Sequence, residues 1–213
     1  MNLLILGATG YTGQEILRQA LEGQFMVTIL VRNTEAIAIQ NPKLKIIKGN
    51  VLDRETLADA LQGQDVVIQA LGIGGRGDGK PNNFVSSATA LLVEAMEANN
   101  VKRLIALSNI GAGDSIAFQP RFFTRFILPY FMKWLKIIID DKNVMEPIIM
   151  NSNLQWTIVR CPNIIDKPAK QKITATLDGK GLKLSITKSD VAKFIVQQAT
   201  ETRFISQAPS ISN

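Results

Sequence analysis

The chain has 213 residues, 24 basic and 18 acidic side chains, one cysteine and no histidine. Without histidine there is no Ser-His-Asp triad, no Cys-His pair and no imidazole metal ligand. Cys161 alone can form neither an internal disulfide nor a CxxC motif, and a lone thiol fits a reducing compartment. At 46% apolar and 20% charged residues the composition is that of a globular protein, and the length suits one domain over 1–213. No metal site is expected.

The net charge of +6 is unevenly placed. Residues 1–106 hold ten basic and ten acidic groups, and residues 107–213 hold fourteen and eight. The excess cations stand singly, from Arg121 to Lys188, which predicts an anion-friendly face and no nucleic-acid-binding arm. The start lacks the basic region of a signal peptide. The most membrane-like stretch, 126–139, is interrupted by Pro129, Lys133 and Lys136 and is shorter than the ~20 residues a spanning helix needs. The expectation is a cytoplasmic protein without a transmembrane segment.

In chain order, residues 2–6, 26–31, 44–48, 65–71 and 103–107 are near-continuous apolar runs. They predict buried strands of a parallel sheet covered on both faces. Helical patterns separate them: Gly13 to Gly23, a helix capped by Asp53 and ending near Gly63, and one from Phe84 to Asn99. Strand–helix alternation of this kind defines an α/β, doubly wound fold of the Rossmann type. Residues 140–152 read as helix, 154–160 as a sixth strand, and Ser189-Asp190 opens a last helix. The less regular second half is expected to form a small substrate-facing region.

Gly7-Ala8-Thr9-Gly10-Tyr11-Thr12-Gly13 follows the first strand and opens the first helix. Glycine tolerates the tight turn, and the missing side chains let backbone approach a pyrophosphate. The helix N-terminus then offers free N–H groups and partial positive charge. In this strand–turn–helix context the motif predicts dinucleotide binding by Gly7, Thr9, Gly10, Tyr11, Thr12 and Gly13. The second strand ends at Val31-Arg32-Asn33. Arg32 lies 19 residues past Gly13, where NAD-binding proteins usually carry an acid. A base there suits a 2′-phosphate, so NADP(H) is the expected cofactor, with NAD(H) as the alternative.

Ligands of doubly wound sheets sit beyond the carboxyl ends of the strands. Asn50 and Val51 are therefore placed by the adenine, and Ala70, Leu71 and Gly72 by the ribose and pyrophosphate. The glycine-dense loop 72–80 reads as a mobile lid or a plain surface loop.

The motif, Val31-Arg32-Asn33, Gly49-Asn50-Val51-Leu52-Asp53, Leu107-Ser108-Asn109-Ile110-Gly111-Ala112-Gly113 and Trp156-Thr157-Ile158-Val159-Arg160-Cys161-Pro162 stand in family order. By these the chain resembles the atypical short-chain dehydrogenases/reductases, in the NAD(P)H-binding, NmrA-like branch that includes flavin reductase/biliverdin reductase B. The resemblance covers residues 1 to about 200. It implies Ser108 beside the nicotinamide, Lys142 as the lysine of the family's Tyr-x-x-x-Lys pair, and Pro162, Asn163 and Ile164 near nicotinamide and substrate. The chain departs from the pattern at Ile138, four residues before Lys142, where the tyrosine acid belongs. Its absence makes Lys142 read better as a surface or salt-bridged residue than as a catalytic one. Asn50 stands where relatives often carry aspartate.

Residues 118–134 hold seven of the thirteen aromatics, five of them in i, i+4 steps from Phe118 to Trp134, with Arg121, Arg125 and Lys133 between them and Lys136 just beyond. Three readings apply to the segment 118–136: a stripe packed on the sheet as core, a wall for a flat anionic substrate, or an exposed patch for a partner, a membrane surface or an oligomer. The functional expectation is a reductase passing hydride from NAD(P)H to a planar acceptor such as a flavin, quinone or tetrapyrrole. A non-catalytic dinucleotide sensor or interaction protein is the alternative, and a sugar-nucleotide epimerase a weaker one. With neither histidine nor the tyrosine, no group that ordinarily titrates near neutral pH is expected at the site.

Overall fold

The computed structural model describes residues 1–73 and 80–213. Its first half alternates strand and helix: β1 (Asn2–Leu6), α1 (Tyr11–Glu22), β2 (Met26–Val31), β3 (Leu44–Lys48), α2 (Arg54–Leu61), β4 (Val66–Gln69), α3 (Phe84–Ala98) and β5 (Arg103–Asn109). The second half contributes α4 (Lys133–Met150), β6 (Gln155–Cys161), β7 (Asn163–Ile165), β8 (Thr174–Thr176), β9 (Ser185–Thr187), α5 (Lys188–Gln197) and β10 (Ser210–Ser212).

One eight-stranded sheet runs in the order β3-β2-β1-β4-β5-β6-β10-β8, and β7 pairs with β9 in a separate ribbon. All the pairings of the large sheet are parallel except β10 with β8. The strand alternation explains why both faces are apolar. Leu3 and Ile5 of β1 enter a core with α1 and α5, and Leu4 and Leu6 enter a second core with α2, α3 and α4. The expected α/β doubly wound fold is thus the observed one. The chain order reverses between β1 and β4, which makes the gap beyond their carboxyl ends the topological switch point.

The N-cap of α2 is Asp53, whose carboxylate accepts from the Thr56 N–H at 2.8 Å. The N-terminus of α3 is capped from a distance. Asp141 of α4 accepts from the Val85 and Ser86 N–H groups at 2.9 and 3.0 Å, and is 5% exposed. This bond pair locks α4 onto α3.

Three differences from the sequence reading stand out. Helix α4 begins at Lys133, about two turns before residue 140, because Ile139 and the residues around it pack inward. The segment before it is a short 3₁₀ turn (Gly113–Phe118) and then wide π-helical turns (Phe123–Phe131). In the latter, the Met132 N–H reaches the Ile127 carbonyl five residues back at 3.1 Å. The aromatic stripe is not core: within the π turns only Leu128 is buried, and Phe122, Phe126, Tyr130 and Phe131 are 49–81% exposed. Finally, β7 to β10 are three-residue strands, too short for any periodic signal. Most of the glycine-dense loop read as a lid, 74–79, lies outside the described residues.

Asp141→Ala leaves two N–H groups at a buried junction without an acceptor. The expected loss is about 2–3 kcal/mol, seen as a lower urea midpoint with unchanged m-value. An unchanged midpoint would mean that water replaces the carboxylate.

Candidate dinucleotide site

The turn between β1 and α1 is built by close approach. Gly7 adopts φ +86°, and a Cβ there would stand 2.5 Å from the Ala70 carbonyl oxygen across the switch point. A Cβ on Gly13 would stand 2.0 Å from the Gly7 carbonyl oxygen. Both clashes are with backbone and cannot be relieved by a rotamer change. The two glycines therefore let α1 start directly against the ends of β1 and β4. Gly10, the N-cap, offers no side chain to the first turn, and that turn contains no acid. The Gly10 and Gln14 N–H groups are used within the turn. The Tyr11, Thr12 and Gly13 N–H groups remain to receive an anion, aided by the helix dipole. The turn that the bare Gly7 and Gly13 permit leaves these N–H groups uncovered, a cradle that fits a dinucleotide pyrophosphate.

Of the other expected residues, Ala70 and Leu71 approach this turn at Gly7. Arg32 is exposed at the end of β2 and forms no ion pair among the described residues. Asn33 is exposed, and its side chain accepts from the Glu35 N–H at 3.0 Å. Asn50 likewise turns its carbonyl oxygen to its own loop, accepting from Leu52 N–H at 3.1 Å, which leaves its amide nitrogen outward. Val51, Ala70 and Leu71 are buried walls at 8, 9 and 8% exposure, and Gly72 is exposed. Pro162 follows β6, and Asn163 and Ile164 open β7, where Asn163 is exposed beside Ser185.

Ser108 and Lys142 lie nearby but are turned to the protein. Ser108 on β5 is in register with Arg160 on β6. Its hydroxyl donates to Glu146 of α4 at 2.7 Å. Glu146 in turn takes two bonds from Arg160, Nε at 3.1 Å and Nη2 at 2.7 Å, with both side chains almost fully buried. Arg160 Nη1 also pairs with Asp114 at 2.6 Å. Burial alone would lower the Arg160 pKa, but the hydrogen bonds and charges of Glu146 and Asp114 outweigh it and raise it. Gly113 lies over this pair: a Cβ there would be 2.6 Å from both Arg160 Nη2 and Glu146 Oε2.

Lys142 is not at the surface and, among the described residues, is in no salt bridge, contrary to the reading preferred from sequence. It is 4% exposed. Its Nζ donates to the Leu107 carbonyl at 2.8 Å and to the Leu71 carbonyl at 3.4 Å, tying the ends of β5 and β4 together. Burial pushes it down to about 8, against the smaller opposing charges of Asp141 and Glu146. A group that ordinarily titrates far above neutrality is thus brought down towards it by burial. Burial also pushes the neighbouring Cys161 thiol far up, so it is inert as a nucleophile.

Sequence reasoning missed Glu146, Asp114 and Asp141 entirely. The available signal was Arg160, a lone cation in the apolar run Trp156-Thr157-Ile158-Val159, which demanded a buried acid from elsewhere. Two open depressions of about 500 and 470 Å³ border α5 and the α3–α4 junction, and neither includes an expected site residue. The cradle is a turn with free N–H groups, so shape alone does not reveal it.

The family described as NAD(P)H-binding matches residues 7–202, and the chain belongs to it. Among curated proteins it is 25% identical over 206 residues to the photosystem II assembly factor Ycf39 of Synechocystis, covering 92% of this chain and 58% of that one. It is 22% identical over 226 residues to a probable pinoresinol-lariciresinol reductase 3 of Arabidopsis thaliana, covering 99% and 67%. The chain therefore spans under three-fifths of the length of that assembly factor. Among solved structures it superimposes on the oxidoreductase ylbE of Lactococcus lactis with TM-score 0.83 and 23% identity, covering 100% of this chain and 91% of that one. ChuY, an anaerobillin reductase of Escherichia coli O157:H7, gives TM-score 0.79 at 20% identity, covering 100% and 97%. A short-chain dehydrogenase/reductase of Veillonella parvula in complex with NADP gives 0.78 at 20%, covering 100% and 94%.

The buried lysine has a stability signature. Unfolded, its pKa is near 10.5, and folded about 8. Between these values the unfolded chain holds a proton that the native state has released, so unfolding is favoured as pH falls through the window. The Lys142 contribution to stability should therefore rise by about 3 kcal/mol from pH 8 to above 10. Lys142→Met lacks this titration. The difference in unfolding free energy between wild type and variant should change by that amount over the window, and a constant difference would refute the burial effect.

Proposed function

We propose that the chain is an NADP(H)-preferring reductase that passes hydride to a planar acceptor of the flavin, quinone or tetrapyrrole class. The observation that carries this is the open first turn of α1 over Gly7 and Gly13, with exposed Arg32 at the end of the adjacent strand β2. The nicotinamide cofactor supplies the hydride. In this reading the N–H groups of Tyr11, Thr12 and Gly13 bind its phosphates, and Arg32 takes the 2′-phosphate. Asn50 offers its outward amide nitrogen to the adenine. The chain ends at Ala70–Gly72 and Pro162–Ile164 form the walls that bring cofactor and acceptor into contact. Reductases among the relatives support hydride transfer as the chemistry.

The proton balance favours acceptors of this kind. Ser108 donates to Glu146, and Lys142 donates to two carbonyls, so both hold the strand ends in place as positioning residues. A flavin or quinone takes its proton from water and needs no strong protein acid. The same commitment of Ser108 and Lys142, together with Ile138 in the tyrosine position, favours a second reading: a dinucleotide sensor that binds without turnover.

Arg32→Asp should raise the Kd for NADPH roughly tenfold to a hundredfold, with a much smaller change for NADH, measured by fluorescence titration. Equal losses for both would remove the NADP(H) preference. NADPH oxidation followed in parallel with FMN, a soluble quinone and biliverdin separates the two readings. Turnover on one of them is expected, and tight NADPH binding with turnover on none would leave the sensor.

A further inference from the structure

The segment that joins β5 to α4 carries an exposed apolar face with a charge of one sign. Phe122, Phe126, Tyr130 and Phe131 are 65, 49, 69 and 81% exposed, although large aromatic side chains normally bury most of their surface. The cations Arg121 and Arg125 each directly precede one of these rings, and Lys133 follows the last. All three are exposed and, among the described residues, form no ion pair. No acid occurs between Asp114 and Asp140. Asp114 is held by Arg160, and Asp140 by Lys136 at 2.6 Å.

A second stretch of chain extends the patch. Phe118 packs on Gly179, where a Cβ would lie 2.7 Å from its ring. The loop around Gly179 presents Leu184, 84% exposed, beside exposed Lys183. Phe118 thus joins the aromatic segment to a loop that carries a further exposed apolar side chain beside a cation.

We infer that this face docks on the surface of an anionic lipid bilayer, with the aromatic rings in the interfacial layer and the arginines and lysines at the lipid phosphates. Three observations select this occupant. The Phe122 and Phe126 rings stack at 5.4 Å into a raised aromatic ridge, and neither depression described above includes any of the exposed side chains, so a deformable surface suits them better than a rigid partner with matching hollows. The mixture of aromatics and cations is that of interfacial membrane segments. A second copy of the chain, docked by a two-fold axis, would set the same cations against each other with no acid of the segment to offset them. No described helix is long and apolar enough to cross a membrane, so the contact is one of surface attachment. The inference stands on exposure and charge and does not depend on the reading of the dinucleotide site.

The test is flotation of the full chain with vesicles of phosphatidylcholine alone and of phosphatidylcholine with phosphatidylglycerol. Binding to the anionic vesicles is expected, with little to the neutral ones, and salt near 1 M should release the protein. Arg125→Gln should weaken binding roughly fivefold and Phe131→Ser roughly tenfold. Both positions are exposed, so circular dichroism and NADPH binding should be unchanged. Flotation with neither vesicle, or equal flotation with both, overturns the inference. So does flotation that neither substitution weakens. A dimer seen by light scattering and broken by Phe131→Ser, without flotation, assigns the face to a second copy. A raised KM for acceptor in Phe131→Ser without loss of flotation assigns it to the substrate.

Discussion

The Arg160–Glu146 pair is the constraint around which the rest of the site is arranged. A guanidinium on a central strand cannot stay buried unless its charge and most of its donors are met. Glu146 meets them from α4, and in doing so fixes the distance and rotation of that helix against β5 and β6. Ser108, in register with Arg160, gives its hydroxyl to the same carboxylate. Once α4 is set, Asp141 reaches the N-terminus of α3, and Lys142 reaches the carbonyls at the ends of β4 and β5. Three residues on two successive turns of one helix thus each tie down a different element.

The cradle itself depends on a different physical fact, the absence of two side chains. Gly7 and Gly13 let helix α1 begin in contact with the backbone of β4, which aims its free N–H groups into the gap where strand order reverses. Electrostatics and sterics act together here: the helix terminus attracts an anion only because nothing covers it. Membership of the NAD(P)H-binding family agrees with that geometry.

The polar side chains nearest the strand ends are spent on internal bonds, so in the proposed reductase the protein would supply position more than proton transfer. Burial moves Lys142 down to about 8. Arg121, Arg125 and Lys133 stand on the segment that bears the exposed aromatics.

Much of the fold was legible in the residues alone. Apolar runs such as Leu3–Leu6 and Val27–Val31 announced strands buried on both faces, since only that burial removes the polar alternation. Gly7, Gly10 and Gly13 announced the turn, because glycine is needed wherever backbone approaches backbone. Arg32 announced its own exposure at a strand end. The short strands β7 to β10 were illegible, since three residues carry no period. The partners of Ser108, Lys142 and Arg160 were illegible too, because they come from distant parts of the chain and no local pattern joins them. The aromatic stripe had the same spacing whether it faced the core or the solvent. Sequence therefore determined the local geometry and the chemistry available, and tertiary structure alone decided which side chains were buried, which charges met and which face was left exposed.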